Sequence, residues 1–185
     1  MNFAKLAIPD VLLIEPKKFG DSRGYFMETF RQSLFAEHVG DFEFVQDNQS
    51  LSAEVGTVRG LHFQLDPMAQ GKLVRCIAGA LLDVAVDIRT GSPTYGKHVA
   101  VELTAENGRQ LWVPPGFAHG FCTLAPNTEI SYKVTNYYSA EHDRGLLWND
   151  PALGIDWPVD MDKAALSEKD RKQPSLADLG TVFTY

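Results

Sequence analysis

One stretch of the chain carries a titratable side chain inside a β-patterned run: Gly56-Thr57-Val58-Arg59-Gly60-Leu61-His62-Phe63-Gln64. Successive side chains of a strand alternate faces. Val58, Gly60, His62 and Gln64 therefore share one parity, and Thr57, Arg59, Leu61 and Phe63 the other. A histidine held mid-strand can be aimed more accurately than one on a mobile loop. Gly60 permits another backbone, or a ligand, to approach closely. Shortly downstream, Gln70-Gly71-Lys72-Leu73-Val74 returns the chain into a second strand carrying Lys72. An Arg, a His and a Lys on adjacent strands of a small barrel suit an anionic substrate that must lose a proton. Taken alone, His62 reads as a satisfied core histidine beside two surface cations. The rest of the chain argues for chemistry.

The elements that must hold these residues are strands. Leu73 to Ala78, Leu81 to Ile88, His98 to Leu103, Leu111 to Val113, Gly120 to Leu124 and Thr128 to Tyr138 are β-rich runs punctuated by turn residues. Asn107-Gly108 is a hairpin signal. Before them, Val11 to Ile14, Tyr25 to Phe30 and Phe42 to Ser50 read as strands, and Gln32 to His38 as one or two helical turns closed by Gly40. Short strands at this spacing indicate an all-β sandwich or barrel. Ser167-Glu168-Lys169-Asp170 has the form of a helix capping box. The last residues read as a polar, partly ordered tail.

Composition sets bounds on the function. A chain of 185 residues with 44% hydrophobic content supports one domain with a real core. A net charge of −7 argues against a general nucleic-acid or membrane-surface binder, without excluding a phosphate ligand. Cys76 and Cys122 sit in apolar runs and read as buried, reduced residues. No stretch reaches the roughly 20 apolar residues of a membrane span, and no secretory leader is visible. The expectation is a soluble cytoplasmic protein.

Gly108, five residues, then Pro114-Pro115-Gly116-Phe117-Ala118-His119 resembles the second sequence motif of the cupins, with Thr123 in place of the usual closing Asn. Gly56, five residues, then His62 matches the opening of the first motif. Gln64 replaces its second metal histidine, and the Glu expected shortly beyond is absent. A divalent site needs about three protein ligands, and only His62 and His119 remain. The expected fold is therefore a cupin-like jelly-roll β-barrel with short peripheral helices and no metal.

The resemblance narrows on motifs spaced from about residue 8 to 172. They include Gly20-Asp21-x-Arg23-Gly24-Tyr25-Phe26-x-Glu28, Gln46-Asp47-Asn48, Arg59-Gly60-Leu61-His62-Phe63-Gln64, Gln70-Gly71-Lys72-Leu73-Val74-Arg75, Asp83-Val84-Ala85-Val86-Asp87 and Trp148-Asn149-Asp150-Pro151. Their order closely resembles the dTDP-4-dehydrorhamnose 3,5-epimerase family of the L-rhamnose pathway. The resemblance implies His62 as the catalytic base, Asp170 as its carboxylate partner, Tyr132 as the general acid and Lys72 beside the substrate's C4 oxygen. It implies nucleotide-sugar contacts at Phe19, Arg23, Glu28, Gln46, Asp47, Asn48, Gln49, Arg59, His119 and Lys169. Tyr138 matches an aromatic that stacks on thymine, and Asp143 stands where the family often has Glu. The resemblance further implies a dTDP-4-keto-6-deoxy sugar substrate and no cofactor. It also implies a homodimer in which an N-terminal arm of about residues 1–30 is exchanged with, or packed on, the second copy. One jelly-roll domain would span 1–185, with a short helical region at about 160–180.

Plainer roles stand beside these. Asp170 reads equally as a capping carboxylate, Tyr132 as barrel filling, Arg59 and Arg75 as strand-edge solubilisers, and Lys72 as a solvated hairpin residue. Three other functions share much of the pattern: a 3-epimerase of a related keto sugar, a metal-dependent oxygenase, and a non-catalytic sugar-nucleotide binding module.

Overall fold

Fifteen strands and one helix account for most of the backbone hydrogen bonding. The computed structural model describes every residue from Met1 to Tyr185. In chain order these are β1 (Asn2–Lys5), β2 (Leu12–Glu15), β3 (Lys18–Asp21), β4 (Gly24–Met27), α1 (Gln32–His38), β5 (Gln46–Ser52), β6 (Val58–Gln64), β7 (Lys72–Ala78), β8 (Ala80–Asp87), β9 (Arg89–Thr90), β10 (His98–Thr104), β11 (Gln110–Val113), β12 (Phe117–Thr123), β13 (Thr128–Val134), β14 (Asp143–Gly145) and β15 (Phe183–Thr184). A six-stranded sheet runs β1-β2-β11-β7-β13-β5, and a five-stranded sheet runs β10-β8-β12-β6-β14. The expected all-β jelly-roll barrel is formed.

Alternation decides what lies between the sheets. Val74, Cys76, Leu111, Val113 and Ile130 meet Leu81, Ala85, Val99, Leu103, Phe117 and Phe121 in one buried cluster. The opposite faces are covered in turn. Outside the five-stranded sheet, Val58, Leu61, Phe63, Val84, Val86, Ala118 and Cys122 pack under Leu146, Trp148, Leu153 and Trp157 of the C-terminal third. Trp157 Nε1 donates to the Trp148 carbonyl at 2.8 Å, which satisfies its one polar atom inside that layer. Outside the six-stranded sheet, Trp112 lies against Phe35 of α1 and against Phe42, with ring centroids 5.1 and 4.9 Å apart. Three-residue 3-10 turns at Pro151–Leu153, Met161–Lys163 and Asp170–Lys172 are the peripheral helical elements.

The C-terminus is clasped back onto the barrel. β15 pairs in parallel with β9, and the Arg89 guanidinium lies 4.6 Å from the Phe117 ring centroid and 4.9 Å from that of Tyr185. Fully buried Asp87 accepts from Arg89 at 2.7 Å and from Ser92 and Thr94, each at 2.6 Å. Burial alone would raise its pKa. These donors outweigh it and hold the carboxyl at about 2. The tail expected to be only partly ordered is thus tied down by strand pairing with β9 and by the Tyr185 ring on Arg89, a guanidinium that the Asp87 ion pair holds in place.

Several sequence expectations are corrected. Asn107-Gly108 makes a turn but no hairpin, because β10 and β11 belong to different sheets. The Asn107 side chain accepts from the backbone of Thr104 and Arg109 at 3.1 and 2.9 Å, which is local turn chemistry that does not encode a strand partner. The strand expected over Tyr25 to Phe30 stops at Met27, and Glu28 bonds Arg31 at 2.7 Å. The strand expected from Phe42 joins the sheet only at Gln46, since Phe42 and Phe44 pack on Trp112 instead. Finally, β6 and β7 are not neighbours but face each other from the two sheets.

The simple alternation of β6 also fails. His62 pairs with His119 and Arg59 with Phe121, so β6 takes three steps where β12 takes two. This is a β-bulge, and it turns residues on either side of it to new faces. Val58, Leu61 and Phe63 pack in the outer cluster. Arg59, His62 and Gln64 face the barrel mouth. Gly60 occupies the bulge with φ +126°, where a Cβ would stand 2.6 Å from Gly120 Cα and 2.8 Å from the His119 carbonyl oxygen.

Candidate active site

The barrel opens at one end into a cavity of two lobes, about 410 and 260 Å³, which share His62, Lys72 and Tyr132. The outer lobe adds Gln46 and Asn48 from β5, Gln64 from β6, Gln70, Tyr138, Asp143 and Lys169. The inner lobe adds Ser50, Arg59, His119, Phe121, Ile130, Ser167 and Asp170. Of the residues expected at a site, eleven line it: His62, Lys72, Tyr132, Asp170, Gln46, Asn48, Arg59, His119, Tyr138, Asp143 and Lys169.

Five others lie elsewhere. Strict alternation along β5 turns Asp47 and Gln49 to the outer face, where they bond Lys133 at 2.9 Å and Glu129 at 2.8 Å. Phe19, Arg23 and Glu28 sit on or beside the β3–β4 ribbon, away from this chain's own cavity. Arg23 bonds Asp21 at 2.6 Å. Ser50, Gln64, Gln70, Phe121, Ile130 and Ser167 also line it, though the sequence reading gave them no part in binding or catalysis. Period-2 counting from Asn48 and from His119 would have found Ser50 and Phe121.

His62 is positioned from both sides. The segment after the 3-10 turn at Met161–Lys163 runs beside β6, with Val58 N–H donating to the Ala165 carbonyl at 2.9 Å and Ala165 N–H to that of Gly56 at 3.1 Å. This delivers Asp170 to the histidine, and His62 Nε2 lies 2.5 Å from Asp170 Oδ1. Asp170 is 3% exposed. Burial pushes its pKa up, but the contact with His62 and bonds from Ser167 and the Gly60 backbone prevail and hold it below the usual carboxylate range. An ionised carboxylate only accepts, so it fixes the proton on Nε2 and leaves Nδ1 to take another.

The opposite wall comes from the six-stranded sheet. Tyr132 on β13 and Lys72 on β7 stand on adjacent strands facing His62. Burial raises the Tyr132 phenol, against an opposing influence from Arg59, so it remains a proton donor at neutral pH. Burial lowers Lys72 to about 8, partly offset by the charges of Asp143 and Asp83. Its Nζ donates to the His62 carbonyl at 3.3 Å. Arg59 donates to Ser52 Oγ at 3.0 Å and to the Leu51 carbonyl at 3.1 Å, which braces it at the rim. Lys169 forms an ion pair with Asp143, and the Tyr138 hydroxyl reaches the same carboxylate at 3.4 Å.

The donors do not fit a cupin metal. His62 and His119 each spend Nε2 on a carboxylate. The Gln64 amide donates to the Met68 and Tyr137 carbonyls and accepts from Ser139 N–H at 2.7 Å. It staples the two loops beside Tyr138 instead of offering a ligand. No three His, Cys, Asp or Glu side chains converge as metal ligands do.

Fold and site together define a cupin-type barrel whose cavity is equipped for acid–base catalysis, with an imidazole on one wall and a phenol and an ammonium on the other. Residues 5–178 match the profile of the family described as dTDP-4-dehydrorhamnose 3,5-epimerase, and the chain belongs to that family. A relative so named from Sinorhizobium fredii is 65% identical over 185 residues, covering 100% of this chain and 94% of its own. One from Shigella flexneri is 58% identical, covering 96% and 97%. A crystal structure of dTDP-6-deoxy-D-glucose-3,5-epimerase RmlC from Legionella pneumophila, in complex with dTDP-4-keto-L-rhamnose, superposes with a TM-score of 0.94. It is 43% identical and covers 100% of this chain and 98% of that one.

Proposed function

We propose that the chain inverts C3 and C5 of dTDP-4-dehydro-6-deoxy-D-glucose to give dTDP-4-dehydro-L-rhamnose, by proton transfer through an enolate. The observation that carries this reading is the opposition of His62 to Tyr132 and Lys72 across one cavity. The hydrogens at C3 and C5 flank the C4 ketone. Removal of either as a proton leaves its electron pair on the C4 oxygen as an enolate. His62 Nδ1 takes that proton, and Asp170 compensates the imidazolium. Lys72 stabilises the charge on oxygen. Tyr132 returns a proton to carbon from the other wall, so the centre inverts, and exchange with solvent restores both groups. Substrate and product share one oxidation level, so the balance needs no redox cofactor.

Arg59 and Lys169 suit the diphosphate. Tyr138, 61% exposed at the mouth, suits stacking on the base, with Gln46, Asn48 and Asp143 of the outer lobe as further contacts and His119 of the inner lobe on the sugar side. A homodimer belongs to the same proposal. Phe19, Tyr25 and Phe26 are 55%, 59% and 68% exposed on a two-stranded ribbon that also carries Arg23, and exposed rings in such number suit packing on a second copy. Cytoplasmic location is supported by two free, buried cysteines; no helix is long and apolar enough to cross a membrane.

Proton NMR of dTDP-4-keto-6-deoxyglucose in D2O tests the reaction. The expected result is loss of both the H3 and H5 signals with appearance of the L-configured product. Binding without exchange would overturn it. A second reading, inversion at C3 alone, draws on the likeness to ChmJ, a 3'-monoepimerase from Streptomyces bikiniensis, at 35% identity and a TM-score of 0.91 over 97% of this chain and 92% of that one. It predicts loss of H3 only.

A further inference from the structure

The inner lobe contains a second histidine–carboxylate pair that the proposed mechanism does not use. His119 is the direct cross-strand partner of His62, so the two imidazoles stand side by side on one wall. His119 Nε2 lies 2.7 Å from Asp83 Oδ1. Asp83 reaches it from β8, between the apolar neighbours Leu81 and Ala85 of its inward row. Asp83 is 0% exposed, and its Oδ2 has no hydrogen-bond partner. A carboxylate so buried and half-satisfied is a stability liability that packing does not explain.

We propose that Asp83 is a positioning residue for the sugar ring. By accepting the Nε2 proton it fixes the tautomer of His119, so that Nδ1 faces the cavity as the acceptor for a hydroxyl of the keto sugar. His62 and His119 then hold the ring from one wall, one taking protons from carbon and the other setting its orientation. The inference rests on the proposed reading of the site, and its test separates the two.

In wild-type protein, long-range 1H–15N spectra are expected to show His119 protonated on Nε2. The Nδ1 resonance should move on addition of dTDP-L-rhamnose and stay in place on addition of dTDP. A response to dTDP alone, or none to either, overturns the proposal whether or not the protein turns over a keto sugar. Wild-type turnover, followed in parallel, tests the reaction itself.

A mutant cycle adds the kinetic arm. Asp83→Asn is expected to lower kcat/KM about 10- to 100-fold while leaving dTDP affinity unchanged. The double variant with His119→Gln should lose no more than His119→Gln alone. Wild-type kcat/KM in folded Asp83→Asn, or losses that multiply, would overturn the assignment. Should Asp83→Asn fail to fold, the wild-type spectra still decide.

Discussion

At the scale of single residues, His62 and Tyr132 separate cleanly by experiment. His62→Asn is expected to abolish deuterium uptake at C3 and C5, since loss of a positioned base costs about 10² to 10⁴ in rate. Tyr132→Phe removes only a hydroxyl. His62 can still exchange a proton on its own face, so washout persists while net inversion falls sharply. A folded Tyr132→Phe protein inverting C5 at the wild-type rate would remove Tyr132 as the acid. Lys72 sets a pH limit. With its pKa near 8, the ammonium that steadies the enolate is lost as pH rises through that value. The measured kcat/KM should therefore fall above about pH 8, and in Lys72→Arg, which stays charged, that fall should move beyond pH 10 at reduced kcat. An unchanged alkaline limb would assign it to another group. His62 and Lys72 stood out in their β-patterned runs, while the role of Tyr132 came only from the family resemblance. Local pattern read Asp170 only as a cap, while the family resemblance implied its pairing with His62; half of the local reading holds, because its N–H does bond Ser167 Oγ at 3.1 Å. The carboxylate instead turns to a histidine 108 residues away, a contact no local pattern contains. Asp83 stood in a quoted motif, but its contact with His119, 36 residues away, was hidden for the same reason.

At the scale of elements, the bulge in β6 decides which side chains meet the substrate. Gly60→Ala would set a methyl against Gly120 and require φ +126° of an L-residue. The expected cost is about 1–3 kcal/mol of stability, with loss of turnover larger than the melting shift explains, because Arg59 and His62 turn with the bulge. Thermal melts and kcat measured together check this, and a variant that melts lower at full kcat would show that the bulge is only structural. Ten of the fifteen strands were legible from β-rich patterning, while β1, β3, β9, β14 and β15, only two to four residues each, were too short to carry a period. Sheet membership was not legible. Asn107-Gly108 signals a turn, yet the chain leaves that turn for the other sheet. Likewise Gln46-Asp47-Asn48-Gln49 reads as one contact block, but alternate members must point away.

At the scale of the whole molecule, acid stability should depend on the clasp at Asp87. Its folded pKa of about 2 lies below the ordinary value near 4. Its contribution is thus complete above about pH 4 and lost as pH falls toward 2. Asp87→Asn should lower stability at pH 7 by about 3–5 kcal/mol and flatten the dependence between pH 4 and 2, as read by denaturant melts. Equal losses at both pH values would exclude the ion pair as the cause. Mass measurement at micromolar concentration checks assembly, where the exposed β3–β4 ribbon leads us to expect a dimer. A monomer with full activity would refute a shared site. The barrel's two walls carry a last consequence. His62 and Tyr132 ride on different sheets, so the gap between them is a sheet-to-sheet spacing, roughly 10 Å between backbones. That spacing is set by residues such as Val74, Ala85 and Ile130, packed between the sheets. The fold then works as a calliper closed on a ring of one thickness. Under the proposed mechanism, the handedness of the product is fixed by the width of an apolar core.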